Sequence, residues 1–324
     1  MFSKQIDLYA LTIGIAFCGY AVSQAADYPS KPVRLVVPLS PAGPADTVSR
    51  LIARKLTDSL GQSVVVDNRA GGSTIIGTEI VARAPADGYT LLTVTTTHAV
   101  NPSVLKKLPY DPVRDFSPVT LIEAAPIMLV VHPSVAANTL GEFIALARNK
   151  PGRINYASAG NGSSQHLTTE LFRAAATIDL VHVPYKGAGP GFIDLVAGHV
   201  QTTFTSTVSA MQYVNSKQLR GLAVTSLKRL AIAPALPTIA ESGFPGFESS
   251  SWVGMLAPAA TPQPVIDRLY REVAAALKAN DVVETLSSIG AEPRGLSPAE
   301  FAAYFQSEMR KWAEVIRRGG IHLD

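Results

Sequence analysis

The chain of 324 residues is long enough for two structural units, each with its own hydrophobic core. Hydrophobic residues make up 47% of it and charged residues 16%, and the formal net charge is only +3, with lysines and arginines scattered along the chain. This composition indicates a compact globular protein. The absence of a basic stripe argues against binding to nucleic acid or to an anionic membrane surface.

The first 25 residues have the pattern of a secretory signal peptide. Lys4 supplies a positive charge, residues 8–22 are apolar, and Ser23-Gln24-Ala25 places small residues before a cut after Ala25. The apolar run is short for a membrane-spanning helix, which disfavours a retained anchor. Cys18 is the only cysteine and lies inside this segment, so the mature chain has no disulfide and no cysteine-based metal site.

Strands and helices alternate through the first hundred residues. The apolar run Val33–Val37 predicts a strand, the prolines and glycine of residues 40–44 end it, and helical spacing runs from Ala45 to about Leu60. The next predicted elements are a strand, a Gly-rich turn, a helix and a third strand, at residues 64–68, 70–73, 75–83 and 89–94. Such alternation is typical of a parallel sheet covered by helices, in which ligands lie at the carboxyl ends of the strands.

A long apolar segment, residues 118–132, separates the two halves of the chain. It is longer than an average strand, and we predict that it crosses from one lobe into another near Ala124 and Ala125. A helix follows, opened by a capping box in which Thr139 is the cap and Glu142 reaches back. The strand, loop and helix pattern then recurs at residues 154–158, 159–164 and 165–175.

The remaining predicted elements complete the second lobe and return to the first. A strand, a helix and two strands come next, at residues 180–184, 191–197, 200–204 and 219–225. The extended segment 250–258 is the predicted way back, and helices follow at 264–280, 282–289 and 298–318, the last opened by Ser297 and Glu300. Two crossings predict an α/β protein of two lobes around a cleft, each with a mostly parallel sheet flanked by helices. Lobe 1 would contain residues 26–124 and 253–324, and lobe 2 residues 125–252.

The motifs of common enzymes and cofactor sites are missing from the sequence. The six histidines have no His-Glu-x-x-His or paired spacing, and there is no phosphate loop, dinucleotide-binding glycine pattern or Gly-x-Ser-x-Gly elbow. We therefore predict no metal, no cofactor and no enzymatic activity. A hydrolase is the alternative, with Ser164 and His166 oriented by Asp46 or Asp194, because such triads depend on geometry rather than on spacing.

Two predicted helix starts form the candidate binding site. The loops before them, residues 40–46 and 159–164, each follow a strand and leave backbone N–H groups free to attract an anion. We interpret Asp46 mainly as the N-cap of its own helix. His166 is interpreted as a surface or capping residue, with ligand contact as its alternative role.

Three further side chains are considered as ligand contacts. Lys186 is a cation in a Gly-rich loop and either holds an acid group or stays solvated. His98, just after the third strand, is a weaker candidate. Trp252 near the second crossing is expected to pack in the core, with covering of the ligand as its alternative.

Short motifs are spread over the whole mature chain, and each alone would be weakly specific. They are VRLVVP at 33–38, PAGPAD at 41–46, VDNRAGG at 66–72, PADGYTL at 85–91, YDP at 110–112, VPYKG at 183–187, LVAGHV at 195–200 and LPT at 236–238. Together they resemble the Bug family, the periplasmic receptors of tripartite tricarboxylate transporters.

The resemblance implies a type II-like periplasmic binding protein that closes on a small carboxylate and delivers it to the membrane permease subunits of the transporter. Family ligands are held largely by backbone N–H groups and ordered waters from two facing loops, which correspond here to residues 40–46 and 159–164. We expect a periplasmic monomer without nucleic-acid binding or membrane insertion. The predicted ligand-binding residues are Leu39, Ser40, Ala42, Gly43, Pro44, Ala45, Asp46, Thr95, Thr96, Thr97, Ala159, Gly160, Asn161, Gly162, Ser163, Ser164, His166, Lys186, Thr205 and Ser206.

The chain departs from many relatives at Thr205, where they carry an acidic residue that pairs with the ammonium group of an amino-acid ligand. Thr205 therefore favours a di- or tricarboxylate without an amine and argues against glutamate or aspartate. Neighbouring hydroxyls suit a second carboxylate, in an aliphatic or aromatic acid such as terephthalate. Alternatives are a secreted hydrolase of carboxylate esters and a sensor that presents its ligand to a signalling partner.

Overall fold

The structure, a computed structural model, describes residues 28–105, 107–185 and 187–319. The predicted signal peptide, residues 1–25, lies outside these ranges. The described strands and helices, in chain order, are β1 Val33–Val37, α1 Pro44–Leu60, β2 Val64–Asn68, α2 Ile75–Ala82, β3 Thr90–Thr95, α3 Thr96–Val104, β4 Phe116–Val131, α4 Leu140–Asn149, β5 Asn155–Ser158, α5 Ser164–Ala176, β6 Val181–Pro184, α6 Ala188–Val196, β7 Thr202–Ser206, α7 Thr207–Asn215, β8 Arg220–Val224, β9 Ser250–Pro258, α8 Gln263–Ala276, α9 Asn280–Ser288, β10 Glu292–Pro293 and α10 Pro298–Gly319.

The strands form one mixed sheet flanked by helices, which confirms the predicted α/β class. Its order is β2-β1-β3-β9-β4-β7-β5-β6, and β8 and β10 also pair with β4. Strands β1, β2 and β3 are parallel to one another, as are β5, β6 and β7. The long strands β4 and β9 run antiparallel to their neighbours in the middle of the sheet.

Strand β4 connects the two halves of the sheet and changes partners along its length. Its first part, from Phe116 to Pro126, pairs with β9, and its last part, from Ile127 to Val131, pairs with β7 and β8. The change falls between Pro126 and Ile127, just beyond the predicted crossing near Ala124 and Ala125. The division into lobes 26–124 with 253–324 and 125–252 stays a prediction.

Hydrophobic side chains cover both faces of each half of the sheet. In β1, the buried neighbours Leu35 and Val36 belong to different core clusters, as do Leu129 and Val130 in β4. Because successive side chains of a strand point to opposite faces, this alternation shows a core on either side of the sheet. The ends of the strands are not covered in this way, so the loops at the carboxyl ends of the parallel strands are where a ligand can bind.

Helix α10 is attached to the central strand β9 through a buried carboxylate. Glu308 Oε2 accepts a hydrogen bond from the indole N–H of Trp252 and another from that of Trp312, each at 3.0 Å. Lys311 forms an ion pair with the same carboxyl group. Trp252 is fully buried and packs edge-on against Phe301, so the expected packing role of Trp252 is confirmed.

Both predicted capping boxes are present, but two helices were not predicted. Thr139 Oγ1 accepts from Glu142 N–H at 3.2 Å, and Ser297 N–H donates to Glu300 Oε2 at 2.9 Å. Helices α3 and α7 begin directly at the ends of β3 and β7, in stretches for which no element was predicted from the sequence. Threonine-rich starts and Pro102 inside α3 lower helix propensity, so tertiary contacts determine these helices. No helix within the described ranges is long and apolar enough to cross a membrane.

Candidate functional site

Two cavities with common lining residues lie where loops from both halves of the sheet meet. The larger, of about 390 Å³, is lined by Pro38, Leu39, Ser40, Ala70, Gly71, Ser73, Thr74, Thr97, Val100, Asn101, Asn161, Gly162 and Ser163. The smaller, of about 130 Å³, is lined by Thr95, Thr96, Thr97, Val100, Gly162, Ser163, Ser164, Leu167 and Ser251. The structure thus brings residues of the first loop, the threonine segment and the second loop together around one site.

The first loop ends in helix α1, whose start differs from the predicted one. Pro44 is the first helical residue and Gly43 is the N-cap, in an extended conformation. Proline suits this position because the missing N–H would have no partner in the helix and its φ is already helical. The interpretation of Asp46 as N-cap is therefore wrong, since Asp46 is the third residue of the helix.

Asp46 instead stabilises the loop from inside the first turn. Its carboxylate is buried, with 3% of the residue exposed, and accepts hydrogen bonds from Ala42 N–H, Asn68 Nδ2 and Arg50 Nε, each at 2.9 Å. Burial by itself would raise the pKa of Asp46, but the hydrogen bonds from Arg50, Ala42 and Asn68 outweigh it and lower the pKa below its usual value. Asp46 is therefore an anion at neutral pH.

This arrangement changes which amides of the first loop can meet a ligand. Ala42 N–H is already bonded to Asp46, and Pro44 has no N–H to offer. Among the residues that the structure describes, the amides of Gly43, Ala45 and Asp46 have no acceptor. A bound carboxylate at this helix start would be held by these three donors, assisted by the helix dipole.

The second loop is stabilised by uncharged groups. Ser163 is the N-cap of α5, and its Oγ accepts from His166 N–H at 3.3 Å. Gly162 N–H donates to His166 Nδ1 at 3.1 Å, and Gly160 N–H donates to Ser158 Oγ at 3.1 Å. Within the described ranges, the amides of Asn161, Ser164 and Gln165 have no acceptor, so these are the donors of the second helix start.

His166 lies in a stack of aromatic rings behind this loop. The ring centroids of His166 and His182 are 3.9 Å apart, and those of Tyr156 and His182 are 4.8 Å apart. Both pairs of rings are stacked nearly parallel. His182 Nε2 is 2.6 Å from Ser158 Oγ. Burial lowers the pKa of both histidines, that of His182 to about 4, so both rings are neutral at pH 7.

A third helix start, that of α3, adds hydroxyl groups to the site. Thr95 is its N-cap, and Thr96 and Thr97 follow in the first turn. Thr96 Oγ1 is buried and has no hydrogen-bond partner among the described residues. A buried hydroxyl without a partner is costly unless water or a ligand satisfies it, which supports a polar ligand beside Thr96.

The turn after β2 belongs to the site and was missed as a ligand contact. Ala70, Gly71, Ser73 and Thr74 line the larger cavity, and Asn101 Nδ2 of α3 donates to Ser73 O at 2.8 Å. The sequence showed this turn as Gly-rich and as following a strand of the parallel set. That position at a carboxyl end was the signal by which the turn could have been assigned to the site.

Several predicted ligand-binding residues do not line these two cavities: Ala42, Gly43, Pro44, Ala45 and Asp46 of the first loop, Ala159, Gly160 and His166 at the second, and Thr205 and Ser206. Thr205 is buried in β7 opposite Met128, and Ser206 is the N-cap of α7. Lys186 lies outside the described residues. His98 is buried between the rings of Tyr110 and Phe305, where burial lowers its pKa to about 4, so it belongs to the core.

The acids considered for a hydrolytic triad are engaged elsewhere. Asp46 is held by Arg50, and Asp194 accepts a hydrogen bond from Tyr185 Oη at 2.6 Å and faces His199. His166 Nδ1, which an orienting acid would contact, is occupied by Gly162 N–H. In the part of the chain that the structure describes, no cluster of histidine and acidic residues could hold a metal ion.

Comparisons with known proteins agree with this geometry. Residues 48–321 match the family model described as "Tripartite tricarboxylate transporter family receptor". A protein from Pseudomonas sp. strain P51, "UPF0065 protein in tcbD-tcbE intergenic region", is 43% identical over 290 residues, which are 89% of this chain and 86% of the relative. Protein BugT of Bordetella pertussis is 37% identical over 319 residues, 98% of each chain.

Two solved structures are similar over almost their whole length. The structure described as "R. palustris Rpa4515 with adipate" is 39% identical, with a TM-score of 0.75, and the match covers 91% of this chain and 99% of that one. "MatC (Rpa3494) from Rhodopseudomonas palustris with bound malate" is 31% identical, with a TM-score of 0.71, over 89% and 100% of the two chains. Family model, relatives and fold together show that this chain belongs to the tripartite tricarboxylate transporter receptors, the Bug or TctC family of periplasmic solute-binding proteins, which are receptors and not enzymes.

Proposed function

We propose that this receptor captures a small di- or tricarboxylate without an amine group and delivers it to the membrane permease subunits of a tripartite transporter. The observation that carries the proposal is the pair of helix starts whose preceding loops line the larger cavity, through Leu39 and Ser40 in one and Asn161 to Ser163 in the other. Among the described residues, the amides of Gly43, Ala45 and Asp46 at the first start, and of Asn161, Ser164 and Gln165 at the second, have no acceptor. Amide donors at helix N-termini bind carboxylates without a positively charged side chain.

Two carboxylates fit this arrangement better than one. Each helix start supplies its own set of donors, and the hydroxyl of Thr96 adds a further partner in the smaller cavity, beside Ser163 and Ser164. The adipate and malate named for the two similar structures are both dicarboxylates. An aliphatic diacid is therefore the first candidate, and an aromatic diacid such as terephthalate is the second.

The absence of an amine in the ligand is inferred from the lining of the two cavities, which among the described residues contains no aspartate or glutamate. Thr205, which led to this expectation from the sequence, lies away from both cavities, and Asp46, the acid of the first loop, is already bonded to Arg50, Ala42 and Asn68. A desolvated ammonium without an anionic partner would cost more than its contacts return. Glutamate and aspartate are therefore expected to bind weakly.

A calorimetric comparison of matched acids tests this function. Adipate, malate, citrate and terephthalate are titrated into the chain without residues 1–25, with glutamate and the monocarboxylate hexanoate as controls. We expect one of the first four acids to bind with a Kd of about 1 µM or lower and to be recovered chemically unchanged. Glutamate and hexanoate should bind at least about a hundredfold more weakly. Tight binding of glutamate, or no binding of any polycarboxylate, would contradict the proposal.

Ligand binding is expected to close the predicted lobes about β4 and β9. The change of strand partners between Pro126 and Ile127 and the pairing of Pro126 with Ser250 at the start of β9 support a hinge at this position in the sheet. A hinge motion there would bring the two helix starts onto one ligand. Small-angle scattering should show a smaller radius of gyration with saturating ligand than without it.

A further inference from the structure

The second loop depends on a pair of histidines that do not need to touch the ligand. His166 Nδ1 accepts the N–H of Gly162, and His182 Nε2 contacts Ser158 Oγ, which in turn accepts the N–H of Gly160 at 3.1 Å. Both glycines have positive φ, 120° for Gly160 and 72° for Gly162. The shape of the loop is therefore fixed from behind by two imidazole rings.

The contact at Gly162 requires a neutral ring. An N–H donor needs a lone pair, and Nδ1 of His166 has one only when the ring proton is on Nε2. Protonation places a second N–H on Nδ1, directed at the N–H of Gly162, so that two donors face each other 3.1 Å apart. The hydrogen bond is then lost and replaced by repulsion.

The stacked arrangement disfavours protonation of either ring. Protonation is therefore coupled to opening of the loop, which separates the groups that repel one another. The two imidazole centroids are 3.9 Å apart, so a charge on one ring opposes a charge on the other. Tyr156 from β5 also stacks with His182, with ring centroids 4.8 Å apart, and its hydroxyl donates to Glu170 at 2.6 Å. Glu170 and Arg173 of α5 are the charged groups that act on both rings in the described part of the chain.

Those two charges largely cancel one another. Arg173 Nη1 lies 2.7 Å from Glu170 Oε1, and its Nη2 lies 2.8 Å from Asp179. The acid therefore gives the histidines little net stabilisation as cations. The repulsion between a protonated His166 and the N–H of Gly162 is relieved only if the loop moves away from His166.

We propose that His166 and His182 are positioning residues that, as a neutral stacked pair, hold the second loop in its ligand-binding shape, and that protonation of the pair loosens the loop and releases the carboxylate. The proposal rests on the proposed function, because it assigns the loop to carboxylate binding. It makes the receptor's affinity depend on pH through groups of the protein as well as through the ligand.

The decisive variants differ at the atom that receives the Gly162 N–H. Asparagine places its Oδ1 near the position of histidine Nδ1 and does not titrate, whereas leucine removes the acceptor. At about pH 7.5, His166→Leu should weaken adipate binding about tenfold, and His166→Asn should stay within about twofold of the wild type. Equal affinities for His166→Leu and the wild type would overturn the positioning role.

The pH profile separates positioning from a merely structural role. Between about pH 7.5 and about pH 5 adipate itself gains protons, so every variant loses affinity, but the wild type should lose at least about fivefold more than His166→Asn. His199→Asn, which changes an exposed histidine of the loop after α6, should keep the wild-type profile. Identical profiles for His166→Asn and the wild type would overturn the protonation step.

Amide hydrogen exchange tests the loop without any ligand. The N–H of Gly162 should be protected in the wild type and in His166→Asn at about pH 7.5, and unprotected in His166→Leu. If the wild type binds none of the polycarboxylates, the proposed function fails, while this exchange pattern still decides whether His166 holds the loop. Equal protection in all three proteins would refute the inference whatever the ligand.

Discussion

The two helix starts at the site perform the same task with different chemistry. In the first, a charged carboxylate, Asp46, binds the loop amide of Ala42 and is itself bound by Arg50. In the second, neutral imidazole and hydroxyl groups of His166 and Ser158 bind the amides of Gly162 and Gly160. Each start thus uses some of its amides for its own loop and leaves the others for a ligand.

The difference shows which loop can respond to its surroundings. Asp46 stays charged to a lower pH than a solvated aspartate, because its hydrogen-bond partners lower its pKa. The second loop depends on two neutral imidazole rings, whose pKa is lowered by burial and returns to about 6.5 when the rings become solvated. A fixed first loop and an adjustable second loop are therefore expected, and four experiments can test this contrast.

The largest expected effect is the loss of the carboxylate in the first loop. Asp46→Ala removes three hydrogen bonds, leaves Ala42 N–H without its acceptor and leaves Asn68 Nδ2 with Leu39 O alone, which should lower the free energy of unfolding by about 2 kcal/mol. Urea denaturation measures this value. Asp58→Ala, at an exposed position of the same helix, is the control and should change it by less than about 0.5 kcal/mol.

The second loop should lose stability in a different pH window. The folded-state pKa of His182 is about 4 and that of His166 is lowered, whereas both are about 6.5 in the unfolded chain. The unfolded chain then binds more protons below about pH 6.5, so stability is complete above this pH and falls towards pH 4. Asp46, with a lowered pKa, contributes its stability above about pH 4 and loses it only below.

The half-exposed position of His182 limits the size of this effect through solvent screening. From about pH 7 to about pH 5, the wild type should lose about 1 kcal/mol more than the variant His166→Asn with His182→Gln. Buried His98, whose pKa is also about 4, is present in both proteins, so it contributes equally to the pH dependence of their stability. Parallel stability curves for the two proteins would show that the second loop is as insensitive to pH as the first.

A serine at the first N-cap should separate stability from binding. Gly43 has an extended backbone with φ of −83°, and a Cβ there would approach only Ser40 O, at 3.8 Å. Gly43→Ser can adopt this conformation, and its hydroxyl can accept from the free amides of Ala45 or Asp46. Stability should stay within about 0.5 kcal/mol or rise, while affinity for the carboxylate falls about fivefold.

The matched change in the second loop is Ser163→Gly. It removes the natural N-cap hydrogen bond to His166 N–H and should lower stability by a few tenths of a kcal/mol, roughly the difference between these two caps. Calorimetry and urea denaturation on both variants measure the two quantities. If Gly43→Ser binds as tightly as the wild type, the amides of the first loop do not hold the ligand.

The smallest expected effect concerns the third helix start. Thr96→Val keeps the shape of the side chain and removes a buried hydroxyl that has no partner among the described residues. Stability should be unchanged or rise by up to about 0.5 kcal/mol, and affinity should fall about threefold if the ligand uses this hydroxyl. Unchanged affinity would restrict the ligand's contacts to the two main helix starts.

Local sequence patterns predicted most of the fold but only part of the site. Strand β1, the long strand β4 and the capping box at Thr139 follow from apolar periodicity and from cap residues, which act over a few positions. The N-cap of α1 was placed three residues too late, at Asp46 instead of Gly43, because the signal of Asp46 as a cap was given more weight than that of Pro44 as first residue. Short-range preferences of this kind compete, and only the packed structure decides between them.

What the sequence could not show are contacts between distant segments. Pairing of His166 with His182, and of Asp46 with Asn68, joins residues on different elements. Helix α3 was missed because its threonines and Pro102 disfavour a helix, while its packing against α10 requires it. The turn at Ala70 was recognised as a turn, but its place in the cavity depends on the order of the strands in the sheet.

The carboxylate of Glu308 gives the molecule a spectroscopic property. Trp252 and Trp312 are the only tryptophans of the sequence, and both donate to the same oxygen atom in a buried environment. The tryptophan fluorescence of the protein therefore arises where α10 meets β9, beside the predicted hinge. A shift of the emission maximum on adding ligand would report movement of α10 relative to β9, without any label introduced into the chain.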